Sequence, residues 1–168
     1  MGGLSGAVVL GLPRRGMGFG DGERFQFGQL IYGGGNPTPR PNAVKRLMWE
    51  IEKRTAIEAS LEAAPVRLGG DPRELSRELA RHPVLYLAGD RAFALPNDED
   101  LLRLRRHLAL GGMLLIDSAE GRAGGGFDQS VRALCARLFS GAPGLSRAGQ
   151  GLARLPDDHV LYRSFYLL

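Results

Sequence analysis

Three observations predict an α/β fold with a doubly wound, mostly parallel sheet and helices on both faces. Segments with strand and helix character alternate along the chain, and the connections between strands are long enough for right-handed crossovers. Val84-Leu85-Tyr86-Leu87-Ala88-Gly89 is an almost unbroken apolar run. Gly111-Gly112-Met113-Leu114-Leu115-Ile116-Asp117-Ser118 is a second, entered by a glycine turn and left through polar residues. Runs of this kind suit central strands buried on both sides, whereas a half-exposed strand alternates apolar and polar residues.

The chain has 168 residues, one domain's worth, and 43% hydrophobic and 24% charged residues are ordinary for a globular protein. The formal charge is only +4. Its basic residues are nearly all arginine and stand beside acids, as in Arg73-Glu74 and Arg77-Glu78, which describes a solvated face. A nucleic-acid surface would cluster them with exposed aromatics, so no nucleic-acid partner is expected. The single cysteine, Cys135, excludes an internal disulfide framework and a cysteine-rich zinc site. No apolar run is long enough for a transmembrane helix. Met1 to Pro13 holds a weakly apolar stretch, and the basic residues Arg14 and Arg15 come after it, the reverse of a secretory signal. Residues 1–22 read as a flexible N-terminal segment, and residues 23–168 as a single α/β domain.

The first strand is expected within Arg24 to Tyr32, rich in aromatic and branched residues. Gly33-Gly34-Gly35-Asn36, then Pro37, Pro39 and Pro41, forces an irregular connection. Val44, Leu47, Met48 and Ile51 repeat at helical spacing after a candidate cap, Asn42, with Trp49 packed beside the stripe. A short strand around Pro65 to Leu68 precedes Asp71-Pro72-Arg73-Glu74, a cap, a first-turn proline and a capping-box acid. Leu75 and Leu79 form the buried side of that helix. Asn97-Asp98-Glu99-Asp100 opens the next one, Leu101, Leu104 and Leu108 face inward, and Gly111 closes it. Asp128 is expected to cap a last helix carrying Val131, Leu134, Cys135, Leu138 and Phe139 on one face. Cys135 there is a core thiol. The final ten residues suit a strand.

Parallel strands deliver their C-terminal ends to one edge, and sites form there. Gly33, Gly34 and Asn36, Gly89 and Asp90, and Asp117, Ser118 and Glu120 should therefore share a rim. Ser118 with His159 and an acid is the minimal set for an activated hydroxyl. The G-x-S-x-G elbow is absent, however, and a serine after a strand more often caps a turn. Asp117, Glu120, Asp157, Asp158 and His159 are possible metal ligands, but their spacing matches no defined motif, so no metal is expected. His82, before a proline, and His107, on an arginine-rich helix, are weaker candidates. The triple glycine fits neither the Walker pattern nor G-x-G-x-x-G, and no cofactor is implied. The remaining reading is a rim that holds an unidentified small ligand or a protein partner.

Several blocks occur in register: Phe27 to Gly34, Pro83 to Gly89, Gly111 to Ser118, Gly126-Phe127-Asp128, Leu155-Pro156-Asp157-Asp158-His159 and Ser164-Phe165-Tyr166. Together they resemble the bacterial domain of unknown function 4159 family over about Phe19 to Leu168. The resemblance implies a flavodoxin-like sheet related to class I glutamine amidotransferases, and slightly favours the bacterial envelope or periplasm. It implies that members continue past Tyr166, so that this domain is incomplete at its C-terminal end. Where those enzymes carry a nucleophilic cysteine this chain has Asp117-Ser118, so glutamine hydrolysis is not expected. The favoured function is a non-catalytic ligand-binding or interaction module. The alternative is a hydrolase that uses Asp117, Ser118, Glu120 and His159.

Overall fold

The structure is a computed structural model that describes residues 24–140 and 152–159. The segment 1–22 and the C-terminal strand expected in the last ten residues lie outside the described residues. In chain order the elements are β1 (Gly28–Ile31), α1 (Ala43–Arg54), β2 (Ala64–Arg67), α2 (Pro72–Arg81), β3 (Val84–Gly89), α3 (Asp98–Ala109), β4 (Met113–Ser118) and α4 (Gly126–Phe139).

Among the described residues all strand pairs are parallel, in the order β2-β1-β3-β4. This is the flavodoxin-like, doubly wound arrangement. The chain steps from β1 out to β2, then crosses back over β1 to β3, which sends the later crossovers to the opposite face from α1. Leu30, Val66, Leu85 and Leu87 meet α2, α3 and α4 through Leu75, Leu79, Leu101, Leu104, Val131, Leu134 and Leu138. On the other face Phe27, Tyr86 and Ala88 meet α1 through Val44 and Met48. Both faces of β3 are thus covered, which is why its sequence is a continuous apolar run. Leu108 and Cys135 pack at the margin of the larger layer, and burial pushes the Cys135 thiol up.

Local chemistry fixes most helix ends. The Asp71 carboxylate accepts the Arg73 N–H at 2.8 Å, with Pro72 in the first turn. Asn97 accepts the Asp100 N–H at 2.8 Å, and three acids follow in the first turn of α3. Asp100 is buried because it also ties two loops together, accepting the Gly69 N–H at 2.6 Å. After α3, Gly111 takes φ +96°, and a side chain at Gly112 would occupy the place of the His107 ring. Arg105 of α3 donates to the last carbonyls of α4, on Leu138 and Arg137, at 2.7 Å each.

Four details differ from the sequence-based reading. The regular part of β1 begins at Gly28, because Phe25 forms only an isolated bridge to Ala59. Trp49 is 44% exposed, with the Lys53 ammonium 4.5 Å over its ring, so it is not part of the core. Asn42 precedes α1 without a side-chain cap bond. Asp128 lies inside the first turn of α4, where it accepts the Gly124 N–H at 2.9 Å, and Gly125 holds the cap position. Glycine has no side chain to cap with, and a more distant acid does so.

Candidate functional site

Parallel pairing brings the C-terminal ends of the four strands to one edge. The order of the strands reverses between β1 and β3, the place where folds of this type usually open a ligand crevice. Two predicted groups meet there. The Asn36 amide donates to Asp90 at 2.8 Å, and Arg91 grips the same carboxylate at 2.8 Å. Arg91 first, then Asn36, hold the Asp90 carboxyl below its usual range. Gly33 accepts the Ala94 N–H at 3.1 Å, and Gly34 turns the chain at φ +77°.

The space between these loops is filled from within. The Tyr32 ring lies 4.6 Å from Phe93, and Phe93 lies 5.6 Å from Phe127, centroid to centroid. The Tyr32 hydroxyl donates to the Ala88 carbonyl at 2.6 Å, and burial, then the Asp90 charge, push its pKa up to about 12. A Cβ on Gly89 would fall 2.2 Å from the Phe127 ring. Gly89 is therefore a packing position, where the strand backbone lets an aromatic ring close the crevice.

At the end of β4 the candidates diverge. Successive residues of a strand point to opposite faces. Asp117 pairs with Ala88 and lies on the α1 side; Ser118 pairs with Gly89, lies on the other side, and is exposed. Asp117 is held twice, by the Tyr86 hydroxyl at 2.6 Å and by Arg40 at 2.8 Å. Tyr86 is only 4% exposed. Burial and then the hydrogen bond to Asp117 drive its phenol well above the ordinary tyrosine range. Tyr86 is therefore a donor, and Asp117 spends one oxygen accepting from it.

Glu120 is directed elsewhere. Its two oxygens accept the Gly126 and Phe127 N–H groups, each at 2.9 Å, and so cap α4. Burial raises its pKa, but these N–H groups and Arg122 outweigh that and hold the carboxyl below its usual value. A side chain on Gly125 would collide with this carboxylate, which explains the glycine at the cap position. His159 is half-buried in the 152–159 segment, where its N–H closes a turn onto the Pro156 carbonyl at 2.9 Å. Among the described residues no three His, Cys, Asp or Glu side chains converge as a metal site. No helix among them is long and apolar enough to cross a membrane.

A cleft of about 520 Å³ opens on the α1 side, between the sheet and the first turn of α1. Gln29, Ile31 and Tyr86 line it from the strands, and Arg40, Lys45 and Leu61 from the connections and helix. Arg40 and Tyr86 thus join Asp117 to the cleft. Sequence reasoning did not single out either of them. Tyr86 did leave a signal: a tyrosine in a strand buried on both faces must place its hydroxyl on an acceptor. Arg40 left none, because it sits among prolines, 77 residues from its partner.

Comparison with known proteins bears on most of this chain. The profile of a family described as Domain of unknown function (DUF4159) matches residues 26–168. No curated protein matches the chain. The matched span contains the four strands and four helices of the described residues and the cleft, and the chain belongs to the DUF4159 family.

Proposed function

We propose that this domain is a non-catalytic ligand-binding or interaction module of the bacterial envelope, built on an amidotransferase-like sheet that lacks the nucleophile. The observation that supports this reading is the double engagement of Asp117 by Tyr86 and Arg40, at 2.6 and 2.8 Å. A general base must stand within reach of the proton it removes, and Asp117, anchored by these two bonds, lies on the opposite face of the sheet from Ser118. Asp117 instead braces β4 against β3 and against the loop before α1. Glu120 is committed to the start of α4, and Ser118 faces away from Asp117. The resemblance to a family whose members are often exported supports the envelope location.

The competing hydrolase requires Ser118 to act as nucleophile with Asp117, Glu120 or His159 behind it. Nitrophenyl esters, aminoacyl nitroanilides and nitrophenyl glycosides report such chemistry on the purified chain. The binding reading predicts equal background rates for wild type and Ser118→Ala. Turnover that falls by about a hundredfold in Ser118→Ala, with the circular dichroism spectrum unchanged, would overturn it.

A further inference from the structure

We propose that the cleft beside α1 receives the C-terminal end of a short peptide, with its carboxylate toward Lys45 and Arg40 and its last side chain among Ile31, Val44 and Leu61. This rests on the binding-module reading and names the occupant.

The charge in the cleft is the first argument. The Lys45 ammonium has no ion-pair partner among the described residues, although it lines the cleft. Arg40 is half-exposed and spends one N–H on Asp117, so the rest of its guanidinium fork stays available for a second carboxylate. Among the described residues Glu62 is the one acid in the lining, against these two cations. The first turn of α1, which opens on the same cleft, carries neither an acid nor a side-chain cap, and its N–H groups reinforce the positive end.

The second argument is the pairing of buried polarity with apolar surface. Gln29 is only 8% exposed, on the α1 side of β1, where Tyr86 stands beside it in the sheet. Its Nε2 donates to the Pro37 carbonyl at 2.8 Å, while its Oε1 accepts from no described residue. An amide acceptor held at the base of a cleft suits a peptide N–H. Leu61 is 37% exposed, and with Ile31, Val44 and Pro65 it offers an apolar wall for one small or branched side chain. The volume is that of an ordinary small-ligand site. Among the described residues Tyr86 is the one aromatic in the lining, and it is buried with its hydroxyl tied to Asp117, so they offer a nucleobase or sugar ring no exposed platform to stack on.

The test is a ¹H–¹⁵N NMR titration of the full chain with N-acetyl-alanyl-leucine, its C-terminal amide, and 4-methylpentanoate. The expected result is a saturable shift of the Val44 and Lys45 N–H signals and of the Gln29 side-chain amide with the free acid. Binding should weaken by about tenfold for the C-terminal amide and for Lys45→Glu, an exposed position where the change leaves the spectrum dispersed. It should weaken comparably for 4-methylpentanoate, which lacks the peptide group. No saturable shift at these groups, equal binding of acid and amide, or indifference to Lys45→Glu overturns the proposal. Equal binding of 4-methylpentanoate overturns the peptide and leaves a simple carboxylate site. None of these outcomes touches the non-catalytic reading, which falls only if Ser118-dependent turnover is found.

Discussion

Gly89→Ala is expected to destabilise the domain by about 3 kcal/mol, at the upper end of what overpacking a core usually costs. The added methyl would sit 2.2 Å from the Phe127 ring and 2.6 Å from the Tyr32 hydroxyl. Neither neighbour can yield easily. Phe127 is 1% exposed, in the first turn of α4, whose N–H groups are fixed on Glu120. The Tyr32 hydroxyl is bound to Ala88, one residue from the substitution. Thermal unfolding should show a fall of about 10 °C for a chain of this length. Gly33→Ala is the control, because its position has open space and ordinary backbone angles, and it should stay within about 0.5 kcal/mol of wild type. If the two variants unfold together, the aromatic plug is not closed, and the crevice between β1 and β3 is available to a ligand after all.

The second large effect is at Asp117. Asp117→Ala leaves the buried Tyr86 hydroxyl without its acceptor, and an unsatisfied buried hydroxyl costs about 2 kcal/mol. Loss of the Arg40 contact adds little, because that guanidinium is half-exposed and such ion pairs contribute about 0.5 kcal/mol. Tyr86→Phe removes the donor, but Asp117 keeps Arg40 and some solvent, so the expected cost is about 1 kcal/mol. Because the two residues share one bond, the double variant should be less damaging than the sum of the singles, by about 1 kcal/mol. Urea unfolding of the four proteins measures this coupling. Strict additivity would mean that Asp117 does not brace Tyr86.

These two residues also mark how far the sequence is informative. The strands were legible where burial on both faces forces apolar runs, as in β3, and the caps Asp71 and Asn97 were legible because each acts within three residues. The rim followed from topology: parallel strands must end at one edge, and this joined Asn36 to Asp90 across 54 residues. What topology cannot supply is direction. Asp117 and Ser118 are neighbours in sequence, yet the pleat sends them to opposite faces. Glu120 resembled a rim acid because its partners, the N–H groups of Gly126 and Phe127, carry no side-chain signature. The Asp128 cap failed for the same reason, since a loop of glycines let a more distant acid reach the helix first. Trp49 was misplaced because a large apolar residue beside a helical stripe fits either the core margin or the surface.

Tyrosine ionisation carries the same account into pH. Tyr32 and Tyr86 both have raised pKa values, Tyr32 to about 12, so the fold keeps protons that the unfolded chain loses near the ordinary value of about 10. Their contribution to stability is complete below about pH 10 and is lost as the pH rises toward the folded values. A ¹³Cζ-tyrosine NMR titration of wild type and Asp117→Ala follows the phenols one by one and tests the role of Asp117 most directly. The Tyr86 signal should remain that of the protonated phenol at pH values where free tyrosine is half-ionised. In Asp117→Ala its midpoint should fall, though not to the ordinary value, because burial persists. A wild-type Tyr86 that titrates like free tyrosine, unmoved by Asp117→Ala, would contradict the brace and return Asp117 to the list of possible bases.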